Sequence, residues 1–363
     1  MYGNGYIGAA LAGAALAFLF VSLGQAQGLP WQYPYFRNVE SADGQFWSSK
    51  FPNLFAIFEA PDGAPAINLY SGELYRLSLD KNGLGIEQTD HIKQKRAPAG
   101  ALPFGIVAEA VVPGLSAWLD APTERYHHGV LGDAIEAGAI TVRYADGSTK
   151  SLVLPDDRVF EDISPRFVGM PGSDRESLLT VTSYLNAGAA LTLIDPGSPD
   201  DLAPRVIAEA APIGTPNRWL NPVGAGDVDG DGRIELLAVI TPHIGGTLRS
   251  YELEDGRLIP DAELAGFSNH AIGSRELVLS AVVDLDSPPD GIPEVVVPDA
   301  SREIMNVIRF TGRTPKIVAR LVLLKGKVAH RLVISDLDGD GVPELTFGTD
   351  KDAIVVWAPG IAR

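Results

Sequence analysis

AGDVDGDGRIELLAVI (225–240) is an acidic loop that opens directly into an apolar strand. Carboxylates stand at positions 1, 3, 5 and 9 of DVDGDGRIE, with a glycine at position 6. Calcium takes six to eight oxygens at roughly 2.3–2.6 Å, and this alternation lets one tight loop turn several carboxylates inward. Glycine at position 6 permits the left-handed turn, and the position 7 carbonyl adds a main-chain ligand. The loop therefore predicts a calcium site built from Asp227, Asp229, Asp231, the Arg233 carbonyl and Glu235. Strands rather than helices flank it, so it is not an EF-hand.

The pattern recurs downstream in VVDLDSPPDGIPEVVVP (282–298) and ISDLDGDGVPELTFG (334–348), whose first aspartates follow at spacings of 57 and 52 residues. The last copy predicts a site at Asp336, Asp338, Asp340, the Val342 carbonyl and Glu344. The middle copy carries two extra prolines, Pro288 and Pro289, and then returns to register. It predicts ligands at Asp284, Asp286, Asp290, the Ile292 carbonyl and Glu294. One acidic turn is commonly no more than a solvated turn, whereas three at a steady period are specific. A worn copy precedes them in PRFVGMPGSDRESLLTV (165–181), where Gly169 stands in the place of the first aspartate and almost none of the acidic positions is kept. A fifth is expected at HHGVLGDAIEAG (127–138), with Asp133 in that place.

Each unit has the same reading. An apolar strand enters the loop, a second leaves it, and a Gly-bearing hairpin leads to Thr247–Leu253, the turn Glu254-Asp255-Gly256 and a fourth strand, Arg257–Leu264. Four short antiparallel strands per repeat predict an all-β fold, a β-propeller of six or seven four-stranded blades. Calcium-loop blades are expected over 165–363 and less regular ones over 31–164, within a single propeller of residues 27–363. Leu54–Glu59, Ala66–Tyr70 and Glu73–Leu79 read as strands, and Gly83 to Gly100 as a loop. The final unit lacks a strand, and an edge left open invites pairing with another chain. Leu102–Asp120 is the expected donor.

These loops and their flanking strands resemble the FG-GAP/VCBS repeat family, related to the propeller of integrin α chains. The resemblance spans about 165–357 and, more weakly, 127–164. Family repeats often close with aspartate at position 9, where this chain has Glu235, Glu294 and Glu344. The resemblance implies a calcium-stabilised scaffold used for recognition, often at cell surfaces.

A formal charge of −17 opposes a nucleic-acid partner, because a phosphate backbone would be repelled. There are no cysteines, which excludes disulfides, thiolate metal sites and a cysteine nucleophile. Ile7 to Leu23 is apolar and Gly24-Gln25-Ala26 suits a signal peptidase, so residues 1–26 read as a signal peptide or a membrane anchor through residues 7–23. The chain is then exported, to the periplasm or cell surface.

The faces can also be assigned. The acidic loops share one face with the third-to-fourth turns, and the opposite face collects Trp219, His243, His270, Arg275 and His330. That basic, aromatic set predicts a site for an anion, favoured as histidine gains charge below about pH 6.5. No nucleophile elbow, P-loop or dinucleotide fingerprint is present, and no catalytic residue is assigned. The leading expectation is a binding or scaffolding module for a protein or glycan partner. The alternatives are a membrane-anchored accessory subunit of a larger complex and a polysaccharide-directed enzyme.

Overall fold

The computed structural model describes residues 36–38, 44–60, 62–80, 83–89, 97–170, 175–200 and 202–359. The signal or anchor segment 1–26 lies outside them. Among the described residues, no helix is long and apolar enough to cross a membrane.

Short strands separated by turns make up nearly all of the regular structure. Two come first, β1 (Phe36–Asn38) and β2 (Gly44–Lys50). The first unit is β3 (Leu54–Glu59), β4 (Pro65–Leu69), β5 (Leu74–Asp80) and β6 (Gly83–Thr89). The second is β7 (Ala108–Glu109), β8 (Ser116–Thr123), β9 (Glu136–Arg143) and β10 (Thr149–Val153). A short β11 (Arg158–Phe160) bridges β9 to the third unit: β12 (Arg166–Val168), β13 (Ser177–Tyr184), β14 (Gly188–Asp195) and β15 (Arg205–Ala210). The fourth unit is β16 (Leu220–Gly226), β17 (Glu235–Ile240), β18 (Thr247–Glu254) and β19 (Arg257–Ala265). The fifth is β20 (Ala281–Val283), β21 (Glu294–Pro298), β22 (Ile304–Thr311) and β23 (Thr314–Leu323), with β1 along its outer edge. The sixth is β24 (Val328–Ser335), β25 (Glu344–Thr349) and β26 (Ala353–Pro359), completed by β2.

First strands of successive units lie side by side, β12 near β16, β16 near β20 and β24 near β3. Apolar clusters fill the spaces between units. Leu193 and Leu236 pack together between the third and fourth, Val239 and Ile308 between the fourth and fifth, and Val307 and Phe347 between the fifth and sixth. Ile67 and Val356 do so between the sixth and first, and Ile140 and Leu178 between the second and third. A strand covered on both faces carries no polar alternation. This is why β17, β21 and β25 are buried throughout, and why β17 and β21 read as apolar runs after their first glutamate. Antiparallel four-strand sheets stacked face to face in sequence are a β-propeller.

The closing strand is not the one expected. Residues Gly44–Lys50 pair with β26 in register from Gly44↔Pro359 to Lys50↔Ala353. Phe46 stacks on Trp357, with ring centroids 5.9 Å apart and planes 8° from parallel. Leu102–Asp120 instead contributes β7 and part of β8, inside the second unit. Gly83 to Gly100 is not all loop, since Gly83–Thr89 pairs with β5 and buries Leu84. The segment 127–138 is not an entry loop either. It connects β8 to β9, and Val130 and Leu131 carry it into the cluster between the third and fourth units. The second unit's entry loop is 110–115, one repeat period upstream of the worn copy and stripped of acids.

Trp357 is fully buried where β26 meets β2. Trp357→Ala is expected to destabilise the protein by about 3–5 kcal/mol in chemical denaturation. A loss below about 1 kcal/mol would show that the β2–β26 contact does not hold the sixth unit.

Candidate functional site

In the fourth unit the chain leaves β16 and must reverse before β17. Asp227 closes the turn, receiving the Gly230 amide on Oδ1 (2.8 Å) and the Gly232 amide on Oδ2 (2.9 Å). Gly230 and Gly232 sit at φ 78° and 86°, a region that side chains disfavour. The Asp231 amide donates to Asp229 Oδ1 (3.1 Å), and the Val228 amide to Glu235 Oε2 (3.0 Å). These bonds aim Asp227, Asp229 and Glu235 at one point, with an oxygen from each within 4.8 Å of the others. Burial, aided by Asp229, Asp231 and Asp227, pushes the Glu235 carboxyl up to about 7. Glu235 Oε1 is buried without a partner. A buried carboxylate oxygen in an acidic cluster is costly unless a cation meets it.

The sixth unit repeats this construction. Asp336 receives the Gly339 and Gly341 amides (2.7 and 3.1 Å), and the Leu337 amide donates to Glu344 (2.6 Å). Asp336, Asp338 and Glu344 converge within 4.8 Å. In the fifth unit Asp284, Asp286 and Glu294 converge likewise, and the Leu285 amide holds Glu294 Oε2 (3.0 Å). There, however, the Arg309 guanidinium bonds Glu294 Oε1 (2.6 Å) and Asp286 Oδ1 (2.5 Å).

The fifth position behaves differently from expectation in all three loops. Asp231, Asp290 and Asp340 lie outside the convergent sets. Each turns back to the amide two residues on, that of Arg233 (2.9 Å), Ile292 (2.8 Å) or Val342 (2.8 Å). Arg233 also grips Asp231 through its guanidinium and reaches Glu252 on β18. Beside it a cleft of ≈ 400 Å³ opens between Met170, Arg175, Glu176, Arg233 and Leu253.

On the opposite face, three of the five expected ligand residues meet. Trp219 stacks on His243 (5.9 Å, 6°) and meets His270 edge-on (4.8 Å). His270 Nε2 lies 2.8 Å from the Ser274 carbonyl, which only accepts, so that nitrogen donates. In a neutral ring Nδ1 then accepts, and His243 Nε2, 2.7 Å away, donates to it. Burial pulls His243 down to about 4 and His270 to about 3, and His128 and Arg302 near His243 add to its shift. Both rings are neutral, which corrects the expectation that they charge below about pH 6.5. Arg275 is turned to Asp133 (2.7 Å) and lies over the Phe104 ring (3.9 Å). His330 stands elsewhere, half-buried on β24 beside Gly348.

The β8–β9 connection binds this face together. His128 Nδ1 lies 2.6 Å from Glu161 Oε1, the Tyr126 hydroxyl accepts the Asn217 amide (3.0 Å), and Gly273 donates to the Val130 carbonyl (2.8 Å). A Cβ at Gly132 would meet the Gly273 carbonyl at 2.8 Å, so only glycine allows this approach. Trp219 Nε1 donates to the Glu161 carbonyl (3.0 Å).

Glu161 and Glu136 belong to the cluster and escaped the sequence reading, because acids one strand apart have no motif. The register Ala137↔Phe160 sets Glu136 opposite Glu161, where like charges repel. Glu161 is held by His128 and by the Ser183 hydroxyl. Glu136 is 1 % exposed, with neither carboxylate oxygen partnered. Burial first, then Glu161, Asp133 and Asp162, push its carboxyl up to about 10.

No family model matches the sequence. No curated protein matches it either. Solved structures similar to it include BBS1N in complex with ARL6DN, soaked with lead, at 12% identity and TM-score 0.41, covering 90% of this chain and 99% of that one. The mercury-soaked form of that complex matches at 12% identity and TM-score 0.40, over 88% and 98%. An auxiliary nutrient binding protein from Bacteroides thetaiotaomicron matches at 7% identity and TM-score 0.40, over 85% and 70%.

The unfolded chain releases the Glu136 proton above about 4.5, while the folded chain holds it to about 10. This raised carboxyl therefore costs stability progressively as pH rises through that window. Glu136→Gln is expected to match the wild type closely at pH 4 and to exceed it at pH 8 by at least about 1.4 kcal/mol, one pKa unit. Chemical denaturation at both values checks this, and equal stability at pH 8 would refute it.

Proposed function

We propose that residues 27–363 form one six-bladed propeller, stabilised by calcium in its first and third acidic loops. It serves outside the cytoplasm as a binding module for a protein or glycan partner. The observation that carries calcium is the buried, unpartnered Glu235 Oε1 facing Asp227 and Asp229. An all-oxygen, all-carboxylate donor set on a tight loop suits a hard cation. Asp227, Asp229 and Glu235 would hold one ion, and Asp336, Asp338 and Glu344 another. Bound there, the ion supplies the positive charge that lets each closing glutamate stay ionised while buried. Location outside the cytoplasm rests on residues 1–26, read as a signal peptide or anchor.

The partner surface is the face opposite the loops. Phe104, Ile244 and Ile272 are 62, 61 and 74% exposed there, next to Arg275, His243 and His270. Exposed apolar residues on a rigid base favour a protein partner. For a glycan, Phe104 is the exposed ring on this face, whereas Trp219 is buried at 2% and offers no stacking surface.

Calcium bound only to the native state adds about 2.7 kcal/mol per site at a hundredfold excess over Kd. Melting should therefore move upward with calcium and downward with chelator. Asp229→Ala and Asp338→Ala should each remove part of that difference and leave the chelated melting point little changed. Identical melting curves with calcium and with chelator would sink the assignment.

A further inference from the structure

We infer that the loop at 284–294 takes no metal, because Arg309 is its built-in cation. The inference rests on the calcium reading of the other two loops only for comparison. Strand register places one residue directly across from each closing glutamate. Leu236↔Tyr251 puts Glu252 opposite Glu235, Val295↔Ile308 puts Arg309 opposite Glu294, and Leu345↔Trp357 puts Ala358 opposite Glu344. The same structural position thus holds an acid in the fourth unit, a base in the fifth and a small apolar residue in the sixth. Only the fifth has a charge that can answer its loop.

The atoms involved correspond. In each loop a backbone amide takes Oε2 of the glutamate, from Val228, Leu285 or Leu337. Oε1 of Glu235 is left buried and unpartnered. Oε1 of Glu294 receives both Nε (2.8 Å) and Nη2 (2.6 Å) of Arg309, and Nη2 continues to Asp286 Oδ1 (2.5 Å). The guanidinium therefore contacts two of the three carboxylates that would ligate an ion. Asp286 and Glu294 are 4 and 1% exposed, so this pair is desolvated, and removing one partner would strand the other charges. Charge-assisted bonds from a planar fork also hold the geometry that a metal would otherwise impose.

The sequence carries the same signal once the register is known. Pro288 and Pro289 lengthen this loop by two residues, so its third carboxylate is displaced from the spacing of the other two copies. Asp290 bonds the Ile292 amide and stands outside the convergent set. An arginine in place of an ion makes the fifth unit independent of calcium supply, while its neighbours respond to it.

Calcium stoichiometry of the full chain, by isothermal titration and native mass spectrometry, tests this. The wild type should bind two ions, and Arg309→Met, which removes the charge and keeps a flexible apolar stem, should bind three. Its chelated form should melt below the chelated wild type, and calcium should restore the difference. Three ions on the wild type, or no gain in a folded Arg309→Met, would overturn the inference. Should that variant fail to fold, Ala358→Arg decides. A guanidinium opposite Glu344 should remove one equivalent from the third loop, and an unchanged count would overturn the inference. A wild type that binds no calcium refutes the calcium reading instead, and the Arg309→Met gain of one ion still judges Arg309.

Discussion

The glutamate that begins the second strand in each of the last three units is held from both sides. Its Oε2 is pinned by an amide of the loop it closes, and the strand it starts is buried throughout. Loop and core are thereby joined at one side chain. Whatever neutralises that carboxylate also fixes the angle at which the strand leaves the loop. An uncompensated charge there would be expressed as strain in the sheet itself, since a packed interior has no slack to absorb it. The acidic face is therefore part of the fold's stability rather than an ornament on it.

The opposite face is built on another principle. Its polar groups are joined to one another, with Glu136 the exception. Neutral His243 and His270 pass one hydrogen bond along, and His128 is paired with Glu161. The β8–β9 connection crosses from the second unit to Gly273 and Arg275, so it braces units that are not neighbours in sequence. Rigidity of that kind keeps the apolar residues around it from collapsing inward, which is what a docking surface requires.

Sequence and structure agree where one local rule decides the outcome. β3 has the expected bounds, and β18 and β19 each extend one residue beyond theirs, because alternation between Gly-bearing turns is a short-range signal. The convergence of positions 1, 3 and 9 is equally local. What escaped depends on partners distant in the chain. Gly44–Lys50 has no property that marks it as the mate of β26, and Glu136 becomes notable only when Glu161 is set beside it. Arg309 looked like an ordinary strand arginine until the register put it across from Glu294. The histidine face was legible as a set of loops. Its chemistry was not, because desolvation of an imidazole depends on packing and not on composition.

The clasp formed by β2 and β26 also orders events during synthesis. Gly44–Lys50 leaves the ribosome long before Ala353–Pro359, yet each is the other's partner. Until the final strand emerges, β2 is an unsatisfied edge carrying Phe46 and Trp47, the kind of surface that aggregates or recruits a chaperone. Among the described residues no strand pairing spans a greater sequence separation, so closure is a slow step, and the other units must wait for it. Loss of β26 would therefore cost more than its own residues. It would leave a nearly complete ring unlatched, with β2 still without a mate.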